Sequence, residues 1–309
     1  MYVLGFKLAN IGGRAALTNE VNYYDVETIS GGSMSSDPMV LLGSSRELDE
    51  LSLRLNEFDP TGPLDSVALA PPVPRPGNCY AVGLNYRNHA EEANLPIPPV
   101  PMVFTKHTNC ITGPTQDIVM KSDFVDYEAE LVAVIGKDGK DISLRNAYDH
   151  IAGFCVGQDI SDRPVQFSAT PPQFNLGKSF DTFGPIGPVV TSLSGLQNYE
   201  SLEIECEVSG ELRQKDNTRE LIFDIPALVA YLSEIVTLRS GDIIFTGTPS
   251  GVGAVSGKFL RHGDILSTTI HGLGTLKNRC VRAADHSRAD VIPENLTKLL
   301  KAARSKKTL

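Results

Sequence analysis

The sequence predicts a mainly β fold with some α, an α+β protein with one large sheet-rich domain and a small N-terminal domain. Three observations carry that class. Glycine and proline number 27 and 20 among 309 residues, somewhat above average usage of about 12% and suited to a turn-rich chain. Short apolar runs alternate with Gly, Pro and Asp turns from Asn78 onward, the pattern of strands. Few stretches show the three- and four-residue step of a helix.

Tyr2 to Leu8 reads as a strand, followed by polar turns around Gly12 and Gly31-Gly32. Leu48, Leu51, Leu55 and Phe58 recur at helical steps and predict a helix with one packed face. Pro60, Pro63 and the run Pro71-Pro72-Val73-Pro74-Arg75-Pro76-Gly77 can continue neither a helix nor a central strand. A stiff linker is expected there, dividing a small domain over 1–72 from a main domain over 73–286. Within the main domain the runs Cys79 to Gly83, Met102 to Phe104, Leu131 to Ile135, Ile151 to Val156, Ile186 to Val190, Leu202 to Val208, Asp242 to Thr246 and Ile265 to Ile270 have strand lengths. Ala227 to Val236 has helical periodicity. Residues 287–309 are expected to form a C-terminal helix with a basic tail, with Leu296, Leu299, Leu300 and Ala303 as its apolar stripe. Lys298, Lys301, Arg304, Lys306 and Lys307 complement the dipole of its C-terminal end.

The formal net charge of −9 repels phosphate backbones and anionic lipid, so neither nucleic acid nor a membrane is an expected partner. No apolar run approaches the roughly 18 to 20 residues that cross a bilayer, and the start of the chain lacks a signal-peptide pattern, so a cytoplasmic protein is expected. Cys79, Cys110, Cys155, Cys206 and Cys280 are odd in number and contain no C-x-x-C. Buried reduced thiols fit better than disulfides or a thiolate zinc site.

The segment Asp126-Tyr127-Glu128-Ala129-Glu130-Leu131-Val132-Ala133-Val134-Ile135-Gly136 carries the most chemistry. On a strand, Glu128 and Glu130 share a face about 6.5 to 7 Å apart along the backbone, with Val132 and Val134 continuing it and Leu131, Ala133 and Ile135 opposite. Two carboxylates converging to about 5 Å repel by roughly 3 kcal/mol at an effective dielectric of about 20, and so call for solvent, a shared proton or a cation. Solvated glutamates on an edge strand are the plainer reading of these two alone. Asp159, ending the apolar run Ile151 to Gln158, adds a third carboxylate. An all-oxygen set suits magnesium, manganese or calcium better than zinc.

His89 and Glu92 stand i, i+3 in Gly83-Leu84-Asn85-Tyr86-Arg87-Asn88-His89-Ala90-Glu91-Glu92. On a helix the carboxylate would orient the imidazole as a general base, although such pairs are also common on plain surfaces. His107, His150, His262, His271 and His286 have no comparable neighbourhood. Gly247-Thr248-Pro249-Ser250-Gly251-Val252-Gly253 lacks the order of a nucleotide-binding loop but can offer backbone N–H groups and the Thr248 hydroxyl to a carboxylate. Lys178 and Arg163 are the cations expected near an anionic substrate. Pro164 to Asn175 is a candidate lid.

Taken together, five ordered segments resemble the fumarylacetoacetate hydrolase family, acylpyruvase and 2-hydroxyhepta-2,4-diene-1,7-dioate isomerase-like branch, from about Pro71 to Val281. They are Val82 to Ala90, Asp126 to Leu131, Gln158 to Arg163, Gly177 to Pro185 and Gly241 to Pro249. The resemblance implies a mixed β-sandwich roll, a homodimer, and a divalent ion, Mg2+ first with Mn2+ or Ca2+ as alternatives, held by Glu128, Glu130 and Asp159. It further implies His89 and Glu92 as the water-activating pair, Lys178 as an electrostatic partner, and Arg163, Gln166, Thr248 and Tyr86 near the substrate. The chain departs from the family pattern at His107, Pro164 and Phe174.

The expected activity is hydrolysis of a C–C bond in acylpyruvates or related β-diketo acids through a metal-stabilised enolate. The substrate is a small anionic 2-oxo acid. The same enolate serves isomerases or hydratases of 2-oxo-alkenedioates and oxaloacetate decarboxylases, which stand as alternatives on one site. A non-catalytic metal-dependent binding protein is the alternative from another class.

Overall fold

The computed structural model describes residues 5–284 and 292–306. Strands dominate, as expected. Twelve of them among the described residues form one mixed sheet, whose spine runs Gly62–Pro63, Asn22–Asp25, Arg14–Thr18, Lys7–Ile11, Gly184–Thr191, Ile151–Gln158, Ala129–Ile135, Ile243–Phe245, Cys79–Gly83, Met102–Thr105. A second sheet of five orders Glu211–Asn217, Glu203–Val208, Ile265–Ile270, Gly274–Arg282 and Ile118–Met120. One apolar core includes residues of both sheets; the other places the large sheet against the helices near the N-terminus.

The antiparallel pair Ala129–Ile135 and Ile151–Gln158 lies at the centre, and every residue of both strands is buried. Leu131, Ala133 and Ile135 enter one core and Val132 and Val134 the other, the alternation that the period of two dictates. Gly157 stands where no side chain fits: a Cβ there would lie 2.4 Å from Val132 Cγ2 and 2.9 Å from the Phe245 ring. The helix Ile225–Ile235 overlaps the expected 227–236, starting two residues earlier and ending one residue short, and is capped by the Asp224 carboxylate accepting from Ala227 N–H.

The strands nearest the N-terminus join the large sheet, with Lys7 opposite Thr191 and Leu8 opposite Val190. Tyr2, Val3 and Leu4 of the expected first strand lie outside the described residues, as do residues 287–291 and 307–309 of the expected tail. The predicted leucine-faced helix spans Ser45–Ser52, burying Leu48 and Leu51, and the chain then tightens into a 3-10 turn at Leu55–Glu57. Leu296 of the terminal helix Glu294–Lys306 is fully buried. Among the strands that went unpredicted, Glu211–Asn217 and Gly274–Arg282 carry mostly polar and charged residues at their solvent-facing positions. All five cysteines are free and buried.

Asp49 clasps the 45–52 helix to the sheet: Oδ1 accepts from Phe6 N–H and Ser192 Oγ, both at 2.9 Å, and Oδ2 from Ser194 Oγ at 2.7 Å. Asp49→Ala leaves these donors short of an acceptor and should cost about 1–3 kcal/mol. Equilibrium urea unfolding checks this, and an unchanged midpoint would remove the clasp from the account of stability.

Candidate active site

Strand register assembles the three carboxylates. Glu128 immediately precedes the 129–135 strand, Glu130 is its second residue, and Asp159 immediately follows the 151–158 strand. Because the strands are antiparallel, with Ala129 opposite Gln158, Asp159 comes beside Glu128 and donates its N–H to the Glu128 carbonyl at 2.9 Å. One carboxylate oxygen from each of Glu128, Glu130 and Asp159 lies within 4.8 Å of the others, and all three residues are buried. The edge-strand reading of the glutamates is thereby set aside.

Four carboxylates face three cations here. Lys178 Nζ bridges Glu128 Oε2 at 2.6 Å and Asp159 Oδ2 at 2.7 Å and also donates to Ser161 Oγ. Arg163 Nη2 donates to Glu128 Oε1 at 2.7 Å and to Asp126 Oδ2 at 2.7 Å, Nε to the same Asp126 oxygen, and Nη1 to Gln166 Oε1. Asp126 further accepts from Gly253 and Ala254 N–H. Lys106 Nζ takes the other oxygen of Asp159 at 2.7 Å. Burial pushes the Glu128 carboxyl up, but the Lys178 and Arg163 charges outweigh it and hold it at about 2. Burial, and then repulsion from Asp159 and Glu128, hold Glu130 well above the carboxylate range.

Glu130 is therefore the carboxyl of the cluster whose ionised form is least favoured. Its Oε2 accepts only from Gly247 N–H among the hydrogen bonds described, at 2.7 Å. Buried hard oxygen donors with one carboxyl strained by like charge fit a divalent cation of the magnesium, manganese or calcium kind. A second group, Glu203, Glu205 and His271, meets the same distance, but it lies at the surface and Lys215 already neutralises Glu205 at 2.6 Å.

His89 and Glu92 lie on the helix Arg87–Ala93. His89 Nδ1 is 3.6 Å from Glu92 Oε2, and the side chains are 16% and 26% exposed. Glu92 Oε2 also accepts from Gly251 N–H at 3.0 Å. The 247–251 turn thus holds Glu130 at one end and Glu92 at the other. Gly247 has φ +102°, and a Cβ there would lie 2.7 Å from Asn85 Cβ, so glycine is required.

The structure brings Arg163 and Gln166 into this cluster, but the guanidinium is spent on Asp126, Glu128 and Gln166 rather than left open. Thr248 Oγ1 accepts from Gln214 Nε2 at 2.8 Å. Tyr86 is fully buried with no hydrogen-bond partner for its hydroxyl among the described residues. The candidate lid forms two short helices, Arg163–Gln166 and Phe174–Gly177, joined by an exposed tip over 168–173. Phe174 stacks on Phe104, ring centroids 5.5 Å apart.

Sequence reasoning missed Asp126, Lys106, Gln158 and Gln214. Gln158 Oε1 accepts Glu128 N–H and Gln214 Oε1 accepts Ala129 N–H, so the two amides fix the backbone that carries the glutamates. Lys106 follows an apolar strand, the same signal that singled out Asp159.

The fumarylacetoacetate (FAA) hydrolase C-terminal family matches residues 78–281. Oxaloacetate tautomerase YisK of Bacillus subtilis (strain 168) is 42% identical over 275 residues, covering 84% of this chain and 90% of the relative. Mitochondrial oxaloacetate tautomerase FAHD2B of Bos taurus is 41% identical over 226 residues, 72% of each chain. Maleylpyruvate hydrolase of Sphingobium sp. SYK-6, solved with manganese(II) and pyruvate, superposes with a TM-score of 0.76 at 28% identity, covering 90% of this chain and 99% of its own. The 2-hydroxyhepta-2,4-diene-1,7-dioate isomerase of Mycobacterium marinum gives 0.71 at 29%, with the same coverage. With two thirds of its length matched by the family and long relatives above 40% identity, the chain belongs to the fumarylacetoacetate hydrolase family.

Proposed function

We propose that the protein is a divalent-metal-dependent enzyme that interconverts the keto and enol forms of a small 2-oxo diacid of the oxaloacetate type. The observation that carries the reading is the buried carboxylate triad tied through one glycine turn to a histidine–glutamate pair. The names of the long relatives favour enolisation over the C–C hydrolysis that the sequence placed first. Charge supports an anionic substrate: four carboxylates face three cations, so a divalent ion would leave one positive charge for a substrate carboxylate to offset.

Glu128, Glu130 and Asp159 would hold Mg2+ or Mn2+, which supplies Lewis-acid polarisation of the 2-oxo group and positive charge for its enolate. His89 accepts the proton from C3 and returns it to the 2-oxygen, so the imidazole begins and ends the cycle neutral. Glu92 steadies the imidazolium between those two transfers. Lys178, buried between Glu128 and Asp159, offsets negative charge as it develops. Hydrolysis of an acylpyruvate is the second reading. It is favoured by the manganese- and pyruvate-bound hydrolase of like fold, and would have His89 activate water instead.

The test follows the ultraviolet enol absorbance of oxaloacetate and acetylpyruvate with Mg2+ or Mn2+, then with excess chelator, and identifies the products. Chelator-sensitive enol–keto equilibration without release of pyruvate is the expected result. Pyruvate plus acetate from acetylpyruvate would establish the hydrolase, pyruvate plus carbon dioxide a decarboxylase, and metal binding without any turnover a binding protein. His89→Ala should lower kcat by roughly 10²–10⁴-fold with little change in KM. A kcat within experimental error of wild type removes His89 from the mechanism. Glu130→Gln should leave the metal-free protein at least as thermostable as wild type, since it deletes a repelled charge, yet abolish stabilisation by Mn2+. Melting curves with and without Mn2+ decide this, and a retained metal shift would place the ion elsewhere.

A further inference from the structure

We infer that Lys106 is a positioning residue that clamps one oxygen of Asp159 and the backbone of Lys178 together, so that Asp159 presents only its Oδ2 oxygen to a cation. The inference rests on reading Glu128, Glu130 and Asp159 as a metal site.

Lys106 directly follows the edge strand Met102–Thr105, and its N–H donates to the Cys79 carbonyl at 2.9 Å, which fixes where its side chain starts. The side chain is 0% exposed. Nζ donates to Asp159 Oδ1 at 2.7 Å, to the Phe183 carbonyl at 3.1 Å and to the Lys178 carbonyl. An ammonium has three protons, and all three are committed to the protein. Lys106 therefore has no donor left for a substrate; Lys178 also has three acceptors, but all of them are side chains.

The two lysines divide the labour on one carboxylate. Lys178 reaches Asp159 Oδ2, and its other partners are side chains that can rotate. Two of the three partners of Lys106 are backbone carbonyls in the 178–183 turn, so Oδ1 is pinned to the stretch of chain that carries Lys178 itself. Nζ also lies 5.8 Å from the centre of the Phe245 ring, on the strand beside 129–135. A buried ammonium is tolerated only when fully partnered. Its removal would take the donor from Asp159 Oδ1 and from the Lys178 carbonyl, while the Phe183 carbonyl keeps Ile160 N–H, and would let the Asp159 carboxylate turn.

The test titrates metal-stripped full-length wild type, Lys106→Met and Glu130→Gln with Mn2+, reading free Mn2+ by electron paramagnetic resonance and the fold by circular dichroism. Outer-sphere partners of metal ligands typically contribute 10–100-fold to affinity, so folded Lys106→Met should bind Mn2+ about 10–100-fold more weakly than wild type. Affinity within about threefold of wild type, well short of that range, with Glu130→Gln binding lost, overturns the role of Lys106 while the metal site stands. Wild type that binds no Mn2+ overturns both. Should Lys106→Met fail to fold, a crystal structure of wild type with Mn2+ decides: Asp159 ligating through Oδ2 alone with Lys106 still on Oδ1 supports the clamp, and a chelating Asp159 with Lys106 displaced refutes it.

Discussion

Seven charged side chains, Asp126, Glu128, Glu130, Asp159, Lys106, Arg163 and Lys178, are buried in and around the central strand pair, and that burial is the constraint to which the rest of the structure answers. Removing so many charges from water is unfavourable unless each finds a partner of opposite sign or a hydrogen bond. The surrounding elements supply those partners. Edge strand, turn and short helix each deliver one cation, and the glycine turn delivers backbone N–H groups. The one carboxyl left without a cation of its own, Glu130, is the one whose protonation is most favoured, an imbalance that the proposed divalent ion would relieve.

The fold makes this possible by giving the cluster a rigid floor. The 129–135 and 151–158 strands are buried on both faces, so neither can slip by one residue without driving a glutamate into a hydrocarbon core. Gly157 lets Val132 and Phe245 close over the strand from the other side. The N-terminal strands extend the same sheet past 184–191, covering an edge that would otherwise lie open. Catalytic geometry and sheet register are thus one property seen at two scales.

Much of this was legible in the sequence. Alternation placed Glu128 and Glu130 on one face, a carboxylate at the end of an apolar run marked Asp159, and helical spacing paired His89 with Glu92. Cysteine count and spacing correctly pointed to free buried thiols. The joining of residues 7–25 to the large sheet was not legible, because pairing over such sequence distance leaves no local trace. Nor were the strands at 211–217 and 274–282, whose polar outward residues hide an alternation that only a partner strand reveals. Arg163 looked like a substrate cation because a lone arginine carries no sign of the carboxylates that will fold against it.

The turn from Gly247 to Gly251 has a consequence for how such a site can diverge. Because one end secures Glu130 and the other Glu92, the proposed cation seat and the proposed proton-transfer pair share a single mounting, and a change in this turn would reach both. The exposed 168–173 tip makes no hydrogen bond to either glutamate among those described. Its neighbour is the C-terminal helix, through Asn295 on Thr170 Oγ1 at 2.8 Å. That tip can therefore vary in sequence without disturbing the turn that carries both glutamates.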